Sequence, residues 1–428
     1  MKYLIIGNSA ASMGAAEAIR EADAAGSITI ISDEPESAYS RALISYELAG
    51  WIGPNAKLDL RSPEFYQEKN MQTILGHRAV KIDSAAREVL LDDGRKVPYD
   101  KLLLATGGSP QKTGVKGEEK RGVFGFRTYQ NLMDIHEAIK SAKAAVVLGG
   151  GCIGLQAASG LHHHKVKTSI AIASAHLLSQ VADPECGDYF QGLFEKHGVA
   201  VKTGVSPTEF RGGEQVESVL FDDGTELPAQ IVITGKGVAP NAQLAEGTKI
   251  RVDWGIITDQ QMRTNEPDIF AAGDVALTQD RVACKSTVNA VWPCAFEQGR
   301  VAGFNMAGVH RTYDGSMRMN AAEFFGVSFI SIGIVKPKGE GCESHSRMLK
   351  EKGLYWKLIF QGNILVGAVL MGRVDGAGVL GNLMRKRVDV SSIKDELING
   401  HYDYARVLPL VKEQVGAFEG LEYRETLI

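Results

Sequence analysis

The chain has 428 residues, enough for two or three domains, and its 44% hydrophobic and 23% charged residues suit a globular protein with a core of useful size. A net charge of -4 gives no support for nucleic-acid binding, and no apolar run approaches the ~18 residues of a membrane span. The five cysteines (Cys152, Cys186, Cys284, Cys294 and Cys342) are odd in number, widely spread and without a Cys-x-x-Cys pair. That disfavours a disulfide framework or a metal site and points to a cytoplasmic setting; a strand from the outset, with no signal-peptide pattern, gives the same expectation.

Tyr3 to Ile6 is a short apolar run that suits a buried strand. Gly7 then allows a tight turn, and the small Ser9, Ala10 and Ala11 let a pyrophosphate approach the backbone. Ser12 to Ala16 open an Ala-rich helix whose N-terminus would face that anion. Ser9 and Ser12 stand where a G-x-G-x-x-G fingerprint has its second and third glycines. A second strand, Ser27 to Ile31, ends at Asp33-Glu34, where a ribose-binding carboxylate belongs. Residues 36 to 50 begin as a loop and become a short helix, with Arg41 either a pyrophosphate counter-charge or a solvated surface arginine. Val89 to Leu91 and Lys96 to Pro98 flank an Asp92-Asp93-Gly94 turn and predict a hairpin. Leu102 to Ala105 is a buried strand stopped by Thr106-Gly107-Gly108-Ser109-Pro110.

Ala144 to Leu161 repeats the opening logic. Ala145 to Leu148 is a strand, Gly149, Gly151 and Gly154 complete a G-x-G-x-x-G spacing, and Leu155 onward is helical, a full dinucleotide fingerprint. The next strand, Thr168 to Ile172, runs into Ala173-Ser174-Ala175-His176, with neither a carboxylate for a ribose diol nor an arginine for a 2′-phosphate. His162, His163 and His164 read as a solvated helix end rather than a ligand set, since consecutive helical residues point apart. A second Asp-Asp-Gly turn, Asp222 to Gly224, leads to a strand, Ile231 to Thr234, and a glycine loop through Gly237 to Asn241. Residues 80–110 and 215–241 therefore share a pattern, which predicts two related units, the second inserted in the first.

Ile269 to Ala272 is a strand followed by Gly273 and Asp274, an acceptor for a sugar-like chain. Trp292 to Met306 is a helix with Pro293 in its first turn. Beyond Thr312, strands are predicted at Phe324 to Ile334, Tyr355 to Phe360 and Ile364 to Met371, with helices near 376–386 and 391–399; Tyr402 to Ile428 has no clear period.

In their combined order these residues resemble the two-dinucleotide-binding flavoprotein reductases, above all NAD(P)H:rubredoxin or ferredoxin reductases, the flavoprotein part of NADH-dependent nitrite reductases, and apoptosis-inducing-factor-like proteins. The matching pieces are Gly7 to Ala11, Asp33-Glu34-Pro35, Tyr39-Ser40-Arg41, Ala105-Thr106-Gly107, Gly149 to Gly154, and Gly273-Asp274. The resemblance implies an α/β fold of two Rossmann-like domains plus a C-terminal α+β interface domain. The boundaries expected are 1–110 and 244–311 for FAD, 111–243 for NAD(P)H, and 312–428 for the interface domain.

It also implies site residues. Gly7, Ser9, Ala10 and Ala11 would cradle the FAD pyrophosphate, Asp33 and Glu34 the adenosine ribose, and Arg41 the pyrophosphate or flavin edge. Ala79 would touch adenine; Ala105, Thr106, Gly107 and Arg127 would line the flavin site; Asp274 would bind ribitol. Cys294 and Ala295 would sit by the flavin pyrimidine edge, with Phe325 beside the ring. Gly149, Gly151, Ile153, Gly154 and Gly237 would meet the nicotinamide nucleotide.

Four departures from the family stand out. Ser40 to Tyr46 holds no redox cysteine, which disfavours disulfide reduction. Tyr46 replaces a frequent lysine, Gln156 replaces the usual glutamate near the nicotinamide, and no carboxylate ends the strand at Ala173.

The leading expectation is electron transfer from NAD(P)H through FAD to a small redox protein or iron-sulfur subunit. Arg385-Lys386-Arg387 with Lys350 and Lys352 would be either the docking face or a solvated basic surface. Alternatives are a flavoprotein subunit of a redox complex with a degenerate nicotinamide site, an NADH oxidase, and a nucleotide-switched binding protein; a homodimer is left open. Cys284 and Cys294 are expected to be buried structural thiols rather than a sensor pair.

Overall fold

The computed structural model describes residues 1–53, 58–337, 341–403, 405–407 and 410, so most of the stretch without period, Tyr402 to Ile428, lies outside the described residues. The chain divides into two compact units: Met1–Ala173 with Gly198–Ser316, and Ser174–His197 with Met317–Ile428.

The first unit is built on two five-stranded sheets. One runs in the order Ile269–Ala271, Lys101–Leu104, Lys2–Ile6, Ser27–Ser32, Met71–Leu75, and every neighbouring pair is parallel. The other runs Ala200–Lys202, Lys167–Ala171, Ala144–Leu148, Ile231–Thr234, Val123–Phe124, again all parallel. Apart from the exposed Lys2, both central strands are apolar runs sealed from solvent, as strands covered on both faces must be. In register, Ile6 lies beside Ile31 and Leu104, and Leu148 beside Thr234. Each glycine loop thus leaves the carboxyl end of a central strand, the position where parallel sheets open a crevice.

The helix Ala10–Ala22 packs on the helix Trp292–Met306 through small residues. A Cβ on Gly299 would lie 2.0 Å from the Ala11 carbonyl oxygen, and one on Gly303 would lie 2.3 Å from that of Ala15, so this backbone approach requires glycine. Both predicted hairpins form, Glu88–Leu91 with Lys96–Pro98 and Ser218–Phe221 with Glu226–Pro228. The chain enters and leaves the second sheet through a two-stranded antiparallel ribbon, Gly108–Pro110 with Val238–Pro240. Thr106 Oγ1 donates to the Asn241 carbonyl at 2.7 Å, and Asn241 Nδ2 donates back to the Thr106 carbonyl at 2.9 Å. The second dinucleotide fold is therefore an insertion in the first.

The second unit carries an antiparallel sheet ordered Met319–Phe324, Val327–Gly333, Ile364–Met371, Leu354–Gln361, Cys342–Leu349. The single strand expected over Phe324 to Ile334 is instead a hairpin. Phe325 and Gly326 take φ of 49° and 80°, the paired left-handed conformation of a tight two-residue turn, and Phe324 faces Val327. The helix Pro184–Lys196 lays Phe190 and Phe194 against Phe324, with Phe190 also against Phe329. Asp183 caps that helix at the Cys186 amide and takes hydrogen bonds from Tyr355 at 2.5 Å and Lys357 at 3.1 Å. Burial works against its charge, but those donors hold its carboxyl below the usual range.

Candidate dinucleotide sites

The first lobe narrows sharply at its glycine loop. Gly7 has φ of +113°, and a Cβ there would sit 2.1 Å from the Ala105 carbonyl oxygen. Ser9 is the N-cap of the Ala10–Ala22 helix but makes no side-chain cap, and no acidic residue stands in the first turn. Its first amides therefore face a mouth with no protein acceptor of their own, the arrangement that favours an anion. Ser12 Oγ, inside this loop, is buried without a hydrogen-bond partner among the described residues. Gly273 closes the opposite wall: a Cβ on it would lie 3.1 Å from Ala11 Cβ and 3.7 Å from Ala295 Cβ. Gln298, almost wholly buried, fixes that turn by accepting the Gly273 amide at 2.8 Å. A pyrophosphate fits this cradle, with small side chains on both walls.

Charged groups surround it. Arg41 is held by Glu34 and lies over the Tyr39 ring at 5.1 Å, so it is a half-buried, paired residue rather than a solvated one. The Tyr39 hydroxyl donates to Glu34 and accepts from Arg41 at 3.0 Å and from the Tyr129 amide at 2.9 Å. Burial pushes its phenol above the ordinary value, with Glu34 adding to the shift and Arg41 opposing it. Asp33 is exposed and pairs with Arg78 at 3.2 Å. Arg127 pairs with Asp274 at 2.8 Å, both largely buried, and its carbonyl accepts from Arg41 at 3.3 Å. Ala105 and Thr106 follow the Lys101–Leu104 strand, and Gly107 has open space above it at φ of +66°. Ala79 opens a strand opposite Leu91, against the core. Cys294 and Ala295 stand in the first turn of the Trp292–Met306 helix.

The second lobe differs in texture. Gly154 is required by contact, since its Cβ would lie 2.1 Å from the Gly149 carbonyl oxygen. Gly149 backs onto Gly235, while Gly151 and Gly237 have nothing within 4 Å of a Cβ, which leaves room for a ligand. Gly151 is the N-cap of the Cys152–His163 helix, and Ile153 is 49% exposed. Burial pushes the Cys152 thiol up to about 12.

Several expectations change. The helix end is solvated at His163 and Lys165, as expected, but His164 is half-buried: its ring meets His136 edge-on at 5.4 Å, and its Nε2 is buried with no hydrogen-bond partner among the described residues. His136 in turn bonds Glu47 at 2.7 Å. Cys284 is exposed, not buried. Phe325, expected beside the flavin ring, lies in the second unit with its own ring stacked on His197 at 4.0 Å, a placement that leaves that expectation open. The two basic clusters lie toward opposite ends of one strand. The Lys350–Lys352 turn adjoins Leu354, whereas Asp389, two residues past Arg387, bridges Ile364 beside Gln361. The eight-residue strand Leu354–Gln361 separates them, about 23 Å at ~3.3 Å per residue.

Sequence reading missed the helices Tyr129–Ile139 and Pro184–Lys196. Their caps were legible: Thr128 forms a capping box with Asn131, and Asp183-Pro184 pairs an N-cap with a proline in the first turn.

Two nucleotide-binding folds, one nested in the other and followed by an antiparallel sheet, define an oxidoreductase of the two-dinucleotide class. The chain belongs to the pyridine nucleotide-disulphide oxidoreductase family, whose model matches residues 1–299; the rubredoxin NAD+ reductase C-terminal domain matches residues 319–388. This family is FAD-dependent and uses NAD(P)H. The chain is 31% identical over 392 residues to nitrite reductase [NAD(P)H] of Bacillus subtilis, covering 91% of this chain but 48% of the relative. It thus spans about half the length of that relative. It is also 31% identical to the epsilon subunit of NADH-dependent phenylglyoxylate dehydrogenase of Aromatoleum evansii, covering 93% of this chain and 94% of that one. Among solved structures, the covalent putidaredoxin reductase–putidaredoxin complex matches with a TM-score of 0.85 and 26% identity, over 98% of this chain and 99% of that chain.

Proposed function

We propose that the protein takes electrons from NAD(P)H and passes them through bound FAD to an iron-sulfur or rubredoxin-type partner. The observation that carries this is the pairing of a charged, closed first cradle with an open, glycine-lined second one, in a chain with no cysteine between Ser40 and Tyr46. FAD supplies the step from paired to single electrons. The chain's own groups hold and orient: Gly7 to Ser12 at the pyrophosphate, Asp274 and Arg127 at the sugar-like chain, and the Trp292–Met306 helix mouth at a developing negative charge. Five free thiols suit a cytoplasmic setting, and among the described residues no helix is long and apolar enough to cross a membrane.

The test is anaerobic mixing of the FAD-loaded protein with NADH and with NADPH, then with a ferredoxin or rubredoxin. Loss of the visible flavin absorbance with the nucleotide and its return with the protein acceptor support the reading; no loss with either nucleotide overturns it. Return only with oxygen would make the protein an oxidase. A second reading is favoured by the full-length match to an epsilon subunit: the chain is the flavoprotein subunit of a larger redox complex. Co-purification from its source with an iron-sulfur subunit would establish that, while a lone monomer or homodimer in light scattering would count against it. For docking, the separation of the two basic clusters makes Arg385-Lys386-Arg387 the arm to test by charge reversal. An unchanged rate with the acceptor would remove it.

A further inference from the structure

The C-terminal sheet ends in an unguarded strand. Among the described residues Cys342–Leu349 pairs only with Leu354–Gln361, in unbroken register along its whole length. Its outer row of amides and carbonyls therefore faces away from the sheet. Edge strands are ordinarily blunted by lysine, proline, a bulge or a covering element. Cys342–Leu349 has no lysine, no proline and no bulge; none of its residues is buried, and Glu343, Ser344, Ser346 and Arg347 are exposed. The opposite edge, Met319–Phe324, is shorter, and Ala321 is its one exposed residue.

The charges on this edge complement a copy of themselves. Residues whose main chain points outward alternate along a strand, so two such edges related by a two-fold axis must pair about a residue and not between two. Centred on His345, an antiparallel pairing sets Glu343 against the partner's Arg347, Ser344 against the partner's Ser346, and Cys342 against the partner's Met348. Opposite charges then face each other on both sides of the axis, where directly opposed side chains interact most strongly. Moving the centre to Ser344 or Ser346 loses both pairs. Arg347 is placed for this contact. Its guanidinium lies 5.6 Å over the Trp356 ring, whose Nε1 donates to the Ile398 carbonyl at 2.8 Å, and it has no carboxylate partner among the described residues. Glu343 is paired with Lys394 of its own chain but stays 49% exposed, which leaves room for a second cation.

We propose that the Cys342–Leu349 edge is an interface for a second copy of this chain. The two edges pair antiparallel about His345 and join two C-terminal sheets into one continuous sheet, with reciprocal Glu343–Arg347 pairs setting the register. Main-chain hydrogen bonds carry the association, and the charges choose the partner. One strand is a small contact, so the dimer forms at micromolar concentration and exchanges readily. This pairing is independent of which acceptor the flavin serves.

The experiment is sedimentation equilibrium of the FAD-loaded full chain from about 1 to about 100 µM at low salt, where exposed charges are least screened. Flavin absorbance checks that each variant is folded. The wild type should pass from the mass of one chain to that of two. Glu343→Arg and Arg347→Glu each set like charges opposite one another on both sides of the axis and should raise the dimer dissociation constant by about tenfold or more. Mixed in equal amounts, the two variants should associate again, because their heterodimer restores an opposite-charge pair on each side. The double variant should dimerise within about threefold of the wild type. A wild type that stays monomeric at the highest concentration would overturn the proposal and leave the edge to a different chain. So would a dimer that neither reversal weakens, or two weakened variants that fail to associate when mixed.

Discussion

The two nucleotide-binding lobes share the order of four of their five strands, crevice position and a hairpin in the same place, yet they treat their phosphate mouths in opposite ways. The first has a single glycine at its loop, at positive φ and close against Ala105, small residues on both walls, and paired charges from Glu34, Arg41, Arg127 and Asp274. The second has open glycines at Gly151 and Gly237 and no carboxylate at the end of its second strand. Closure and charge suit a resident group that never leaves, and openness suits a ligand that comes and goes each turnover.

The sharpest way to break this contrast is the paired substitution of Gly7→Ala and Gly149→Ala. Gly7→Ala combines a positive φ with a 2.1 Å clash on backbone, and the expected outcome is a chain recovered with at least tenfold less bound flavin by absorbance. Gly149→Ala has no positive φ and a 2.8 Å nearest contact. It should keep its flavin and raise the KM for the nicotinamide nucleotide. Equal flavin loss in both would erase the difference between the lobes.

Asp274→Ala comes next. It leaves Arg127 without its partner in a largely buried place, a cost of about 2–4 kcal/mol to flavin retention or folding, measurable as weaker FAD binding on dialysis. Tyr39→Phe deletes one hydroxyl that serves Glu34, Arg41 and the Tyr129 amide, and should lower the unfolding free energy by roughly 1–3 kcal/mol in urea.

The smallest effect concerns the second lobe. Burial, then His136 and His163, hold His164 below its ordinary 6.5. The unfolded chain takes that proton first, so this group's stability is complete above 6.5 and declines as pH falls toward the lowered folded value. His164→Asn should therefore flatten the stability slope between about pH 7 and about pH 5, read by urea titration at each pH. An unaltered slope would place the histidine's proton outside the fold's energetics.

What sequence disclosed depended on whether the cause was local. Gly7, the Gly149–Gly154 loop and Gly273-Asp274 announce themselves because a tight turn and a close backbone approach admit few residue types. The strands Lys2–Ile6 and Ala144–Leu148 were legible for a similar reason, since parallel strands buried on both faces must be apolar throughout. The pairing of Arg127 with Asp274, 147 positions apart, and of Ser45 with Gln156 carries no local signal; only folding brings those residues together. The hairpin at Phe325-Gly326 was hidden because phenylalanine rarely takes a positive φ, so the apolar run read through it as one strand.

The ribbon of Gly108–Pro110 with Val238–Pro240 looks like a natural splice point, because the chain departs and returns on adjoining strands. What lies between is not a free-standing cassette: it includes Ser174–His197, whose Phe190 and Phe194 complete the core of the C-terminal sheet. A chimaera cut at this ribbon would hand the recipient a foreign helix for its own C-terminal domain. Recombination between distant homologues at that seam should therefore yield folded progeny only when both segments descend from one parent.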